Sequence, residues 1–483
     1  MELTLAIHQV NDLRFGDSTY LDGSTLVVDR ESLTNHLLED PRLQSVDMDI
    51  ANPGEACRIG VVFDIIEPRV KEPGAGSDYP GILGPIATAG QGTTHVLKGA
   101  AVTVVDEAAP LANNKIVEMS GPASEASPYS VLHHLAIVPH TDSNLERHTA
   151  QNALRLASVK TSVFLAKTAL GQMPNATEVF QSDGPTQAGR DGLPRVAYIG
   201  QIHSRQRVAE VDEQILYGAN TAGMVPVMLH PNEWLDGGVV SGYQNMGVET
   251  YFYQNHPVIL ELYRRHQDDE ITLVGTLATM AASDNEERDR NCMLAAEHAK
   301  WNLAADGVIL TKYGGGAPHA DLSLTARRCE ELGIRTTVQV SDMSWDRRAE
   351  SALLFNYPVV DAIVYVGGRD TDWDVPAAGR VIAGSGELAE ELAHRREELR
   401  PIFRLAALPL AHLAPRQAEY CTEPQMKRLT RAGPTVLSSE FVLVFERFQK
   451  LFGSMRLQPA RPVRHGASRY GRRATGRGSR IRP

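Results

Sequence analysis

The residues with the clearest chemical potential are Lys312-Tyr313-Gly314-Gly315-Gly316-Ala317-Pro318-His319, a string that follows an apolar strand pattern and precedes a helical one. Consecutive glycines bare backbone N–H groups at a helix start, where the peptide dipoles favour a carboxylate or a phosphate. The Gly-Lys-Ser/Thr ending of a nucleotide-binding loop is missing, so the string is not a Walker loop. Asp321 stands where it can cap the helix that follows. Gly314, Gly315, Gly316 and His319 are therefore candidate substrate contacts, with a plain strand-to-helix turn as the alternative reading of the same residues.

Histidines are frequent and include the pair His133-His134 and the isolated His140, His203, His230, His256 and His319. None has metal spacing such as His-Glu-x-x-His, no Gly-x-Ser-x-Gly elbow occurs, and no metal site is read. His203 and His230 lie just after predicted strands, which makes them the candidate acid/base groups. Gly384-Ser385-Gly386 with Ala389 spells Gly-x-Gly-x-x-Ala, but the strand before it is short and no βαβ unit follows. A helix-start loop accounts for it better than a dinucleotide site. The four cysteines, Cys57, Cys292, Cys329 and Cys421, show no Cys-x-x-Cys spacing, so neither a disulfide framework nor a zinc site is indicated. Arginines beside Cys57 and Cys329 are the one feature that would activate a thiol; buried or helical cysteines are the plainer description.

These groups need elements to position them. From Pro194 the pattern alternates apolar strands with amphipathic helices, which predicts a mainly parallel sheet covered by helices. Strands are expected at Arg195 to Ile202, Val225 to Leu229, Ile271 to Thr276, Gly307 to Thr311, Arg335 to Val340 and Asp361 to Val366. Helices are expected near Gln206 to Tyr217, Pro257 to His266, Asp284 to Ala304 and Asp321 to Leu332, with helical spacing also at Leu145 to Gly171. In open sheets of this kind ligands sit at the carboxyl ends of the strands. Before this region the chain reads as short β segments, at Ser24 to Val28, Val46 to Ile50, Arg58 to Ile66 and Ala101 to Val105. The glycine-dense stretch from Pro73 to Gly99 suits close backbone approach or a mobile site-lining loop, or else a long surface connection.

The expected fold class is α/β, a β-rich N-terminal half followed by a Rossmann-like, mainly parallel sheet with helices on both faces. Its expected division is a β-rich domain over 1–150, a Rossmann-like domain over 151–375, a helical extension over 376–453 and a disordered Arg-rich tail over 454–483. No apolar run approaches a membrane span and no secretory signal is seen at the N-terminus, so a cytoplasmic protein is expected. The net charge is −11, yet nine arginines and no acid follow residue 455, which leaves −20 for residues 1–455. That body repels nucleic acid; the tail alone has the charge of a phosphate-binding arm, or is a functionless extension.

Several strings resemble the component B proprotein subunit of glycine, sarcosine and betaine reductases, and more distantly the D-proline reductase proprotein. They are Phe15-Gly16-Asp17, Asn52-Pro53-Gly54-Glu55, Asp64-Ile65-Ile66-Glu67-Pro68-Arg69-Val70-Lys71, the run from His95 to Val102, and Met119-Ser120-Gly121-Pro122. Further on come Asp236-Gly237, Ser241-Gly242, Asn255-His256-Pro257-Val258-Ile259, the run from Ala305 to Ile309, and the glycine loop before His319. The resemblance covers roughly residues 1–370.

The resemblance implies a proprotein that cuts itself at an Asn-Cys bond, the cysteine becoming a pyruvoyl group. Its carbonyl forms a Schiff base with the substrate amine, labilising the C–N bond to a selenol on a partner subunit. In the family this Asn-Cys directly follows the Ser-Gly that corresponds to Ser241-Gly242, and here Tyr243-Gln244 stand there. Neither yields a pyruvoyl group, so that position is expected to be inactive and the chain to carry no cofactor. The one Asn-Cys present, Asn291-Cys292, falls in a predicted helix, whose hydrogen-bonded peptides lack the strained geometry of self-cleavage. Two readings follow. One is a reductase subunit without a pyruvoyl group that presents a small amino acid or amine to a selenoprotein-like or Cys-containing component B partner. The other is a non-catalytic substrate-binding or scaffold subunit. Both make the chain part of an oligomeric complex.

Overall fold

The structure, a computed structural model, describes residues 1–109, 115–182, 192–202, 223–241, 248–282, 284–312, 317–342, 360, 362–368, 377–394, 404–405 and 419–421. The chain opens with strands β1 (Glu2–Gln9), β2 (Asp12–Phe15), β3 (Tyr20–Asp22) and β4 (Thr25–Val28), then helix α1 (Arg30–Leu37). Strands β5 (Leu43–Ala51), β6 (Cys57–Gly60), β7 (Val62–Ile66), β8 (Arg69–Lys71), β9 (Gly92–Lys98), β10 (Ala100–Val105), β11 (Lys115–Glu118) and β12 (His133–Thr141) follow. Helix α2 (Arg147–Ala166) and strand β13 (Ala176–Gln181) complete this half. Two mixed four-stranded sheets run β13-β1-β9-β8 and β5-β12-β10-β7. Helix α2 packs on β7, β8 and β10, burying Ala153, Leu154, Ala157 and Val163 in one core with Phe63, Val102 and Leu135. Small residues on its buried face let the helix approach the sheet closely.

The second half holds β14 (Arg195–Gln201), β15 (Val227–Leu229), α3 (Pro231–Leu235), α4 (Thr250–Gln254), α5 (Pro257–Gln267), β16 (Thr272–Thr279), α6 (Asn285–Glu297), β17 (Gly307–Thr311), α7 (Ala317–Glu331), β18 (Arg335–Asp342) and β19 (Ala362–Gly368). Beyond them lie β20 (Arg380–Ile382), α8 (Gly386–His394), β21 (Arg404–Leu405) and β22 (Glu419–Cys421). One seven-stranded sheet is ordered β15-β16-β14-β17-β18-β19-β22. Its five inner strands are parallel and its two edges antiparallel.

Alternate side chains of β14 enter different cores, as the two-residue period of a strand requires. Val196 and Tyr198 join Trp234, Tyr253, Ile259 and Leu262, whereas Ala197 and Ile199 join Ala296, Leu303, Leu322 and Cys329. Both faces are thus apolar, which is why these strands read as unbroken hydrophobic runs rather than alternating ones. Strand β20 pairs with β6 in the four-stranded sheet β20-β6-β11-β21, far from its sequence neighbours.

Three details differ from the sequence reading. Helix α7 begins at Ala317, a turn before Asp321, with Pro318 in the first turn where a missing N–H costs nothing. Asp321 is therefore no cap; its carboxylate accepts from Ala282 N (2.9 Å) and from Arg288 Nε (2.5 Å), tying α7 to α6. Helix α6 gives way to a π turn over His298–Asn302 rather than running to Ala304. The expected helix over Gln206 to Tyr217 and the Arg-rich tail lie outside the described residues.

Candidate functional site

In chain order the parallel strands stand second, first, third, fourth, fifth across the sheet. The order reverses between β14 and β17, the place where ligands sit in a crevice at the strand ends of doubly wound sheets. Gln201 ends β14 there, and Thr311 ends β17, with Lys312 directly after it. The Tyr198 hydroxyl bridges Thr311 Oγ1 (2.6 Å) and His256 Nε2 (3.0 Å). Gln201 Nε2 donates across the crevice to the Pro318 carbonyl (3.0 Å), at the first turn of α7.

The ionisable groups here are buried, and burial governs their charge. Lys312 is 3 % exposed, and desolvation pushes its ammonium down to about 8. Desolvation, and then the charge on Lys312, push the His319 ring down to about 3, so it is neutral near pH 7. His256 is likewise pushed down to about 3 by burial among Tyr198, Trp234 and Phe252. A buried cation beside a neutral imidazole suits a carboxylate-bearing ligand.

A second polar assembly is built on the string from Asp64 to Lys71. Arg69 pairs with the buried Glu67 carboxylate (Nε–Oε2 2.9 Å) and donates to the carbonyls of Leu235 and Gln254. Lys71 Nζ meets Asp236 at 2.5 Å, and Asp236 also accepts from Thr94 Oγ1 (2.7 Å) and Gly90 N (2.8 Å). Gly90 has φ +86°, and a Cβ there would lie 2.7 Å from the Asn232 backbone. Close backbone approach is thus what the glycine-dense stretch provides at this point.

Asp64 accepts from Thr250 N and Oγ1 (both 2.8 Å) and from Ser158 Oγ (3.1 Å). Burial still outweighs these bonds and raises its carboxyl to about 6. Ser241 N donates to Thr250 Oγ1 (2.9 Å) and the Ser241 carbonyl accepts from Arg155 Nε (3.1 Å). Glu249 is held by Lys115 (2.6 Å) and Tyr129 (2.8 Å). The chain on either side of residues 242–247 is therefore fixed to the sheets of the first half.

Of the residues singled out in the sequence, His203, Tyr243, Gln244, Gly314, Gly315 and Gly316 lie outside the described residues. His319 stands at the crevice. His230 caps α3: its Nδ1 accepts from Asn232 N (3.1 Å), its Nε2 donates to the Ser182 carbonyl (3.1 Å), and Glu233 returns a bond to its backbone (2.7 Å). Both ring nitrogens are committed to backbone, a capping box in place of an acid/base group. Ser385 likewise opens α8, its hydroxyl accepting from Leu388 N (3.1 Å).

Asn291-Cys292 lies inside α6. Burial pushes the Cys57 thiol up to about 11 and that of Cys292 up to about 12, and raises Cys329. The arginine beside Cys57 turns to Glu118 and the Leu392 carbonyl instead. From the sequence, Lys312 stood in the candidate string without a role of its own, and Gln201 was passed over. Their signal was a polar residue closing each of two apolar strand patterns.

Among the described residues no helix is long and apolar enough to cross a membrane, and no group of His, Cys, Asp and Glu is arranged to hold a metal ion. A mixed α/β chain with buried ionisable groups at its strand ends matches the family of glycine/sarcosine/betaine reductase component B subunits over residues 1–399, and it belongs to that family. The chain is 29% identical over 378 residues to the glycine reductase complex component B subunits alpha and beta of Acetoanaerobium sticklandii, covering 77% of this chain and 86% of that protein. It is 30% identical to the protein of the same description from Peptoclostridium acidaminophilum (79% and 89% covered). To the sarcosine reductase complex component B subunit alpha of the same organism it is 28% identical (79% and 89% covered). No solved structure matches the chain.

Proposed function

We propose that the chain is a component B-like subunit that binds a small amino acid or amine for reductive C–N cleavage by a thiol or selenol on a partner subunit, without a pyruvoyl group of its own. The parallel sheet is read as a Rossmann-like, doubly wound unit whose switch point holds the substrate, with His319 and the glycine loop before it as contacts. The observation that carries the reading is the burial of an ammonium and an imidazole, Lys312 and His319, within electrostatic reach of each other at that point.

A chain-derived carbonyl does not fit the residues present. Gly242, Tyr243, Gln244, Asn245, Met246 and Gly247 include no cysteine, and the Asn291-Cys292 bond is held in a helix with its thiol buried. No step is derived through that group. The chain's own contribution is to hold the substrate in a dry crevice, its carboxylate toward Lys312 and its C–N bond open to the partner.

Reconstitution with a candidate thiol or selenol subunit and a dithiol reductant tests this. Amine release from glycine or sarcosine is expected only when both chains are present. Equal release by the partner alone would assign this chain the scaffold role instead.

A further inference from the structure

We infer that Gln201 is a specificity-determining residue, and that the β14–β17 crevice takes amino acids carrying an N–H donor in preference to quaternary ones. The inference rests on the proposed substrate site and names what it selects. Gln201 is 3 % exposed. Its amide orientation is fixed, because the Pro318 carbonyl can only accept and so faces Nε2. The other amide atom, Oε1, is buried and meets no hydrogen-bond donor among the described residues.

An acceptor buried without a donor is destabilised unless a ligand supplies one. Two further features define that ligand. Lys312 places a buried ammonium at the end of the neighbouring strand, and the first turn of α7, which Gln201 already touches, adds its positive dipole end. A cation and a helix start favour a carboxylate, while a lone amide oxygen asks for N–H. The complementary small molecule is a zwitterionic amino acid, its carboxylate toward Lys312 and its ammonium toward Gln201 Oε1. A quaternary amine brings the same charges but no N–H, and would leave Oε1 unmet.

Calorimetric titration of the full chain with glycine, sarcosine, betaine and acetate tests this, with the wild-type series needing no variant. Glycine and sarcosine are expected to bind about ten-fold or more tightly than betaine, the usual consequence of one unmet buried acceptor. Gln201→Leu is expected to remove that preference while leaving acetate unchanged, and Lys312→Met to weaken acetate and glycine together. Betaine binding as tightly as glycine, or Lys312→Met binding acetate like the wild type, overturns the inference. The expected pattern without amine release in the reconstituted system would instead leave the inference standing and overturn the proposed function.

Discussion

Arg69→Met is expected to destabilise the protein by about 3–5 kcal/mol, the cost of leaving a buried charge without its partner. Glu67 is fully buried and ionised, since Lys98 and Arg69 outweigh a burial that by itself raises its pKa. The substitution removes the guanidinium at 2.9 Å and also strips donors from the carbonyls of Leu235 and Gln254. Lys98, at 3.4 Å and half-buried, compensates only in part. A urea midpoint followed by tryptophan fluorescence should fall steeply, and Glu67→Gln in the same chain should restore a share of the loss. A change of less than about 1 kcal/mol, the range of exposed ion pairs, would show that the pair does not hold the halves together.

Trp234→Ala is the second large effect, at about 3–5 kcal/mol for a deleted core aromatic and the cavity it leaves. The indole is fully buried, with ring centroids of Tyr198 and His256 at 5.7 Å and Tyr253 at 6.0 Å. Its Nε1 donates to Thr276 Oγ1 at 2.7 Å, so the hydroxyl also loses a partner. Trp234→Phe keeps most of the volume and should lie well below the alanine variant. Because Tyr198, hydrogen-bonded to His256, is also hydrogen-bonded to Thr311 at the proposed substrate site, glycine affinity should drop with Trp234→Ala even below its unfolding midpoint. Equal midpoints for the two variants in a thermal or urea series would show that packing at this position is not what matters.

How far these features were legible differs by kind. The strands β14, β17 and β18 are covered on both faces, so each shows as an apolar run with clear punctuation. Helix α5 announces itself through Pro257 and its basic last turn. The start of α7 was misplaced because Pro318 suits a first helical turn as well as a loop, and only the packing of α7 on β17 and β18 decides between them. His230 looked like a strand-end acid/base group, yet Asn232 and Glu233 are what turn it into a cap.

The pairing of β20 with β6 joins residues more than 300 positions apart, Arg380 with Cys57, and no local pattern encodes it. The charged string from Glu67 to Lys71 was recognisable as a family signature but not as a buried one. Its partners, Asp236, Gln254 and Asn255, sit on loops and a helix that only the tertiary fold brings to it. The order reversal between β14 and β17, which locates the crevice, is a property of pairing and not of any segment.

The central claim, a component B-like subunit without a pyruvoyl group, is tested most directly by intact-mass spectrometry of the purified chain with and without phenylhydrazine. A single species near 52.8 kDa, unchanged by the reagent, is the expected result. Two fragments, one of them gaining the mass of a hydrazone, would contradict the account and would identify the bond that is cut.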